Sequence, residues 1–341
     1  MRVAHAIRVF AAIAALAGCA APPATVQGAA PEAGVPSSAT SGIVLVANQQ
    51  SASATIVDVA TRTGTTIPVG MGPHEAAISP DSRWGVVTIY GMQQPGNQLA
   101  VIDLDTKSVV RTIDLGNFRR PHGAAFVGGS SRLVAVTSEA SQRVVLADIA
   151  AGTVVADIPT NSGGSHMLGI TADGKRIFTA NISSGSVTEI DVEGRAFVRQ
   201  LPVSTVTEGI GVRPDGSEAW LGSNDKGTVS IVDTKSWSVV KTLTGFSMPY
   251  RIGFSPDGRW AVICDPQANR IHIANAVTRT VVGTVDSLGS PRGVRIAPDN
   301  RTAYVTVNAE SAVAAVDLVD RVVRFKVAVE KSPDGVAYGR K

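Results

Sequence analysis

The chain has 341 residues, 44% of them apolar and 5% aromatic, and 31 basic against 28 acidic side chains leave a net charge of +3. That balance falls to +1 once Arg2 and Arg8 leave with an N-terminal signal, and no segment gathers Lys and Arg into a stripe, so a nucleic-acid partner is not expected. There are two cysteines; once lipidation takes up the thiol of Cys19, Cys264 has no intrachain disulfide partner, and it lies in an apolar strand context where a thiol is ordinarily inert packing.

Residues 1–18 begin with a basic stretch and continue with the apolar run Val9 to Leu16. That run is too short to stay in a bilayer as a spanning helix and reads as an export signal. Leu16-Ala17-Gly18-Cys19 resembles the lipobox of bacterial lipoproteins. The resemblance implies that Cys19 carries a thioether-linked diacylglycerol, becomes the mature N-terminus and anchors the protein to a membrane. Ala20 in the next position implies the outer membrane, facing the periplasm. The alternative is an ordinary signal peptide in which Cys19 plays no part. Residues 19–41 are mostly Ala, Pro, Ser, Thr and Gly, have no period that could bury a face, and form a flexible tether.

Residues 42–341 repeat. The unit at residues 247–288 holds four short Val- and Ile-rich runs separated by turn residues such as Pro256-Asp257-Gly258. An Asp or Asn ends the third run of each unit: Asp58, Asp103, Asp148, Asp191, Asp233, Asn275 and Asp317, spaced by 45, 45, 43, 42, 42 and 42 residues. A period near 42 with four strands per unit is that of propeller blades. The expected fold is therefore an all-β, seven-bladed β-propeller of four-stranded antiparallel blades, whose strands run A to D from the innermost outward. Residues 42–69 supply three strands without an innermost one. The segment from Ser332 to Tyr338 aligns with a blade start, so the C-terminal strand is expected to complete the N-terminal blade and close the ring.

The units resemble the YVTN-type β-propeller repeat of periplasmic and surface proteins, the YncE-like group. The words that carry the resemblance are Phe178-Thr179-Ala180-Asn181, Leu45-Val46-Ala47-Asn48 and Tyr304-Val305-Thr306, with Val229-Ser230-Ile231-Val232-Asp233 and Ala100-Val101-Ile102-Asp103. The resemblance covers residues 42–341 and implies fold more than activity, because propellers host lyases, lactonases, oxidoreductases and plain binding surfaces.

One position sets the blades apart. Where the chain enters each innermost strand stand His74, His122, His166, Glu208, Tyr250, Arg292 and, by alignment, Asp334. Three of the five histidines in the chain occupy this position on consecutive blades, next to Glu208. Neutral imidazoles with a carboxylate suit Zn, Cu, Fe or Ni, or the axial position of a tetrapyrrole, so His74, His122, His166 and Glu208 are candidate metal ligands. Tyr250, Arg292 and Asp334 are candidates to orient a bound small molecule, joined by Arg119 and Arg120 from a lengthened loop before the third blade. Insertions at residues 90–97, 115–120 and 160–164 gather on the same rim. The plainer alternative is that Pro73-His74, Pro121-His122-Gly123 and Pro291-Arg292-Gly293 follow the P-x-G habit of the resembled repeat.

The recurring Asp residues at strand ends and in the Pro-Asp-Gly turns are turn chemistry. No G-x-S-x-G, H-E-x-x-H, C-x-x-C or glycine-rich phosphate loop occurs. The expected protein is a monomeric, lipid-anchored propeller that binds a small molecule or a protein at its channel mouth. The alternatives are a metal-dependent enzyme of lyase or lactonase type, or a tetrapyrrole or redox accessory protein.

Overall fold

A computed structural model describes residues 41–340; the expected signal at residues 1–18, Cys19 and nearly all of the tether lie outside the described residues. Within them, the chain forms seven four-stranded antiparallel sheets. Each sheet is consecutive in sequence except the first, in which the C-terminal strand Pro333–Gly339 takes the innermost place beside Ile43–Asn48. Their register pairs Val44 with Tyr338 and Val46 with Val336, so the last strand closes the ring as the repeat predicts.

Burial follows position in the blade. The second strands are nearly unbroken apolar runs, and Ile43–Asn48 and Thr302–Val307 are buried at every residue. Neighbouring blades cover both of their faces, which is why alternation with polar residues is missing there. The outermost strands face solvent: Thr63–Pro68 buries only Ile67. Each core lies between two blades. Leu45 and Ile56 of blade one, for example, pack with Val87 and Ile102 of blade two. Gly85 permits that approach, since a Cβ there would stand 2.8 Å from Leu45 Cδ2.

The seven anchoring residues do what turn chemistry requires. Asp103 Oδ1 accepts from the backbone N–H groups of Asp105 and Thr106 at 3.0 and 3.1 Å. Asp233, Asn275 and Asp317 cap their own turns in the same way. Among the described residues helix is confined to short 3₁₀ turns such as Gln49–Ser51 and Glu139–Ser141, both between second and third strands, and no helix is long and apolar enough to cross a membrane. The insertion in blade two is not an open loop. It lengthens two strands, Trp84–Gly91 and Pro95–Asp103, into a hairpin that reaches over the ring entrance.

Candidate functional site

The residues at the entrance of the innermost strands are placed by a local irregularity. In every blade but the sixth the pairing of first and second strands skips at this point, between Pro73 and Ala76, Pro121 and Ala124, Ser165 and Met167, Thr207 and Ile210, Pro291 and Val294, and Pro333 and Val336. A bulge re-aims the side chain it carries. The freed backbone groups are met by threonines of the second strands. Thr137 Oγ1 accepts from the Gly123 N–H at 2.8 Å and donates to the His166 carbonyl of the next blade at 2.5 Å. Thr306 does the same for Gly293 and the Asp334 carbonyl. One hydroxyl thus fixes two neighbouring entrance residues.

The structure brings the three histidines into a stack. The ring centroids of His74 and His122 are 4.0 Å apart, and those of His122 and His166 are 3.7 Å apart. Tyr90, from the blade-two hairpin, sets its ring edge against His74 and His122. His166 is bonded at both nitrogens, Nδ1 to Glu139 Oε2 at 2.7 Å and Nε2 to Glu208 Oε1 at 3.2 Å. His122 is the opposite case: it is fully buried, and neither ring nitrogen has a hydrogen-bond partner. His74 Nδ1 and Asp334 Oδ1 are also buried and unpartnered. Asp334 Oδ2 lies 3.6 Å from His74 Nδ1 and 3.4 Å from Arg292 Nη1.

Beneath the histidines a single arginine spans the channel. Arg251 starts the innermost strand of blade six, and its Nε and Nη2 donate to Glu75 Oε1 at 3.0 and 2.9 Å on blade two, across the ring. Its Nη1 donates to Glu208 Oε1 at 3.1 Å on blade five. Tyr250 carries the guanidinium 4.1 Å from its ring centroid. Six of the seven entrance residues are buried, Arg292 being partly exposed. The expectation of an open mouth at this face is therefore corrected: packing and ion pairs close it. Channel space opens on the other side of the Glu75–Arg251 bridge, in a cavity of about 480 Å³.

Charge is divided unevenly in this cluster. Burial holds His122 well below the ordinary imidazole value, with His166, His74 and Arg251 adding to the effect. Burial likewise lowers His74 to about 4, against the pull of Asp334. For His166 burial is outweighed by its bonds to Glu139 and Glu208, and its value rises. Burial pushes Glu75 up to about 7 even with Arg251 beside it. Burial acts the same way on Glu208, but the bond to His166 and the charges of His166 and Arg251 bring it down to about 2. The outcome is a hydrogen-bonded His166–Glu208–Arg251 network that favours the charged forms, beside two imidazoles that burial biases toward the neutral form.

Of the expected ligands, His74, His122 and His166 come together, whereas Glu208 is committed to His166, Arg251 and Asn224. Tyr250, Arg292 and Asp334 line the other side of the ring and bond mainly to one another and to Arg251. Arg120 lies over the Tyr90 ring and donates to the Met92 carbonyl at 2.9 Å, while the Arg119 side chain is exposed and has no partner among the described residues. Sequence reasoning missed Glu75, Arg251 and Glu139. For the first two a signal existed. The residue after each entrance position is Gly in four blades, Gly123, Gly209, Gly293 and Gly335, and Glu75, Met167 and Arg251 in the others. Those glycines sit where strands nearly touch, Gly209 needing its missing Cβ because the Tyr250 carbonyl would be 2.3 Å away. Large charged residues at a position that favours Gly mark a special role.

Two sets of side chains could hold a metal ion, His74 with Glu75 and His122, and His122 with Glu139 and His166, the ligand atoms of each lying within 4.8 Å of one another. Fold and site together define a closed β-propeller with a polar cluster plugging one end of its channel. Residues 212–340 match the family described as YNCE-like beta-propeller, a span from the end of blade five's first strand to the closing strand. Among solved structures, the hydrazine synthase of Kuenenia stuttgartiensis is similar, with a TM-score of 0.68 over 78% of this chain and 89% of that chain at 17% identity. At that identity the likeness is one of fold. No curated protein matches the chain.

Proposed function

We propose that the protein is an exported, lipid-anchored propeller that works as a binding module, and that its ligand is a single transition-metal ion held by His74, Glu75 and His122. The observation that carries this reading is His122. It is 0% exposed, lies between two further imidazoles, and has both ring nitrogens unpartnered. A buried polar group left unbonded costs about 1–3 kcal/mol, a cost that coordination would remove. His74 Nδ1 and Asp334 Oδ1 are orphaned in the same way. Imidazole nitrogens with a carboxylate oxygen suit Zn, Cu, Fe or Ni. The second set of ligands is less apt, because His166 already uses both nitrogens, whereas Glu75 meets Arg251 through Oε1 alone.

A metal-dependent lyase or lactonase needs a coordination position that substrate can reach. Burial of all three histidines favours a held ion over a catalytic one. A tetrapyrrole would have to enter between rings only 4.0 and 3.7 Å apart, which favours a bare ion again. Export and anchoring at the outer membrane rest on the leader and on Cys19.

The test is metal content after dialysis of tag-free protein against Zn²⁺, Cu²⁺ and Ni²⁺ in turn. Wild type is expected to retain about one equivalent of one of them and His122→Ala less than about a tenth. Equal retention in both proteins, or none in wild type, would overturn the reading. Fatty-acid labelling that Cys19→Ser abolishes is the expected result for the anchor.

A further inference from the structure

The channel on the far side of the Glu75–Arg251 bridge holds a cation that none of the described residues neutralises. Arg295 lies on the innermost strand Pro291–Ile296 of blade seven and lines two adjoining cavities of about 480 and 450 Å³. It makes no hydrogen bond or ion pair with any of the described residues, and it is exposed to the water of the channel. The other charged residues of the first cavity, Glu75 and Arg251, are paired with each other. The second cavity is lined by Arg295 and Arg340 and by no carboxylate. Surrounding protein lowers the Arg295 value with no acidic group opposing it. Beside it stand apolar residues shared by both cavities: the small Ala76, Ala124 and Ala125 and the larger Phe126, Ile170 and Val336.

We propose that this part of the channel binds a small organic acid, its carboxylate received by Arg295 and its apolar body by Phe126, Ile170 and Val336. The planar guanidinium offers a fork of donors that fits a carboxylate through two parallel bonds. A cavity of this size, with apolar side chains on one wall and an unpaired guanidinium reaching its water, has the make-up of a small-molecule site. Access is from the face of the Pro-Asp-Gly turns, since Gly128, Pro214 and Pro256 line the same cavity and the histidine end is closed. The inference is independent of the metal reading: Arg295 belongs to neither set of candidate metal ligands.

Calorimetric titration with benzoate, and with benzamide as its uncharged counterpart, tests it. Benzoate is expected to bind saturably and at least about tenfold more tightly than benzamide, a gap of about 1.4 kcal/mol. Arg295→Gln should reduce benzoate to the benzamide level without lowering the melting temperature, and His122→Ala should leave benzoate binding unchanged. The proposal is overturned by absence of saturable binding up to about 10 mM. It is overturned equally if benzoate and benzamide bind alike, if Arg295→Gln binds benzoate as wild type does, or if sulfate competes as well as benzoate.

Discussion

The two ends of the channel are made by the same seven innermost strands and have opposite characters. At the entrance end, side chains from the first three residues of the strands interlock: His166 with Glu208, Glu208 with Arg251, Arg251 with Glu75. A few residues further along, the same strands turn apolar, as in Ala76-Ala77-Ile78 and Ala124-Ala125-Phe126, and leave space. The difference arises from one guanidinium long enough to cross the ring and from bulges that turn the entrance side chains inward. A propeller therefore need not be open at both ends, and the repeat alone does not say which end is filled.

The largest expected effect breaks that contrast directly. Arg251→Ala leaves Glu75 and Glu208 buried without their shared cation. Removing one partner of a buried ion pair costs about 3–5 kcal/mol. The expected result is a lower urea midpoint at unchanged slope. A loss under about 1 kcal/mol would mean that channel water already solvates Glu75, and that the bridge does not separate the two ends.

How much of this was legible in the sequence differs by level. The fold was, because each blade restates its turns: the Asp or Asn at the end of each third strand caps backbone N–H groups of the turn that follows, so its spacing counts the blades. The grouping of His74, His122 and His166 was also legible, since equivalent positions of a closed ring must face one axis. Their burial was not. It depends on Arg251 meeting Glu75, which stands 176 residues away, and on Glu139 arriving from a loop of the neighbouring blade. No periodicity records such contacts. Arg295 passed unnoticed for a related reason: a lone basic residue in a strand looks like any surface charge until the lining of the channel is known.

A smaller effect sharpens the comparison through glycine. At the entrance end a Cβ on Gly209 would lie 2.3 Å from the Tyr250 carbonyl oxygen, whereas on Gly253, in the apolar part, its nearest neighbour is Val294 Cγ1 at 3.1 Å. Overpacking of this kind costs about 1–3 kcal/mol where nothing can shift. Gly209→Ala is expected to lower the melting temperature clearly more than Gly253→Ala. Equal losses would show that strand spacing is uniform along the channel.

His122 separates stability from function at the entrance end. Replacing a buried, unbonded imidazole by an apolar group of similar volume removes an unmet hydrogen-bonding demand. His122→Leu measured in chelator is expected to match wild type or exceed it by up to about 1–2 kcal/mol, while metal retention disappears. A clear destabilisation in chelator would give the imidazole a structural role and remove the main support for the metal reading.

The smallest effect concerns the rim. Arg120 ties the blade-two hairpin down, its guanidinium 4.5 Å from the Tyr90 ring centroid and bonded to the Met92 carbonyl. Tyr90 in turn covers His74 and His122. A half-exposed cation–π contact is worth about 0.5–1 kcal/mol, so Arg120→Ala should barely move the global melting temperature. Its effect should instead be local: if the hairpin is part of what closes this end, amide hydrogen exchange at Tyr90 and Gly91 speeds up in the variant, while exchange in the innermost strands stays as in wild type. Unchanged exchange at the hairpin would assign closure to Arg251 and the histidine stack alone.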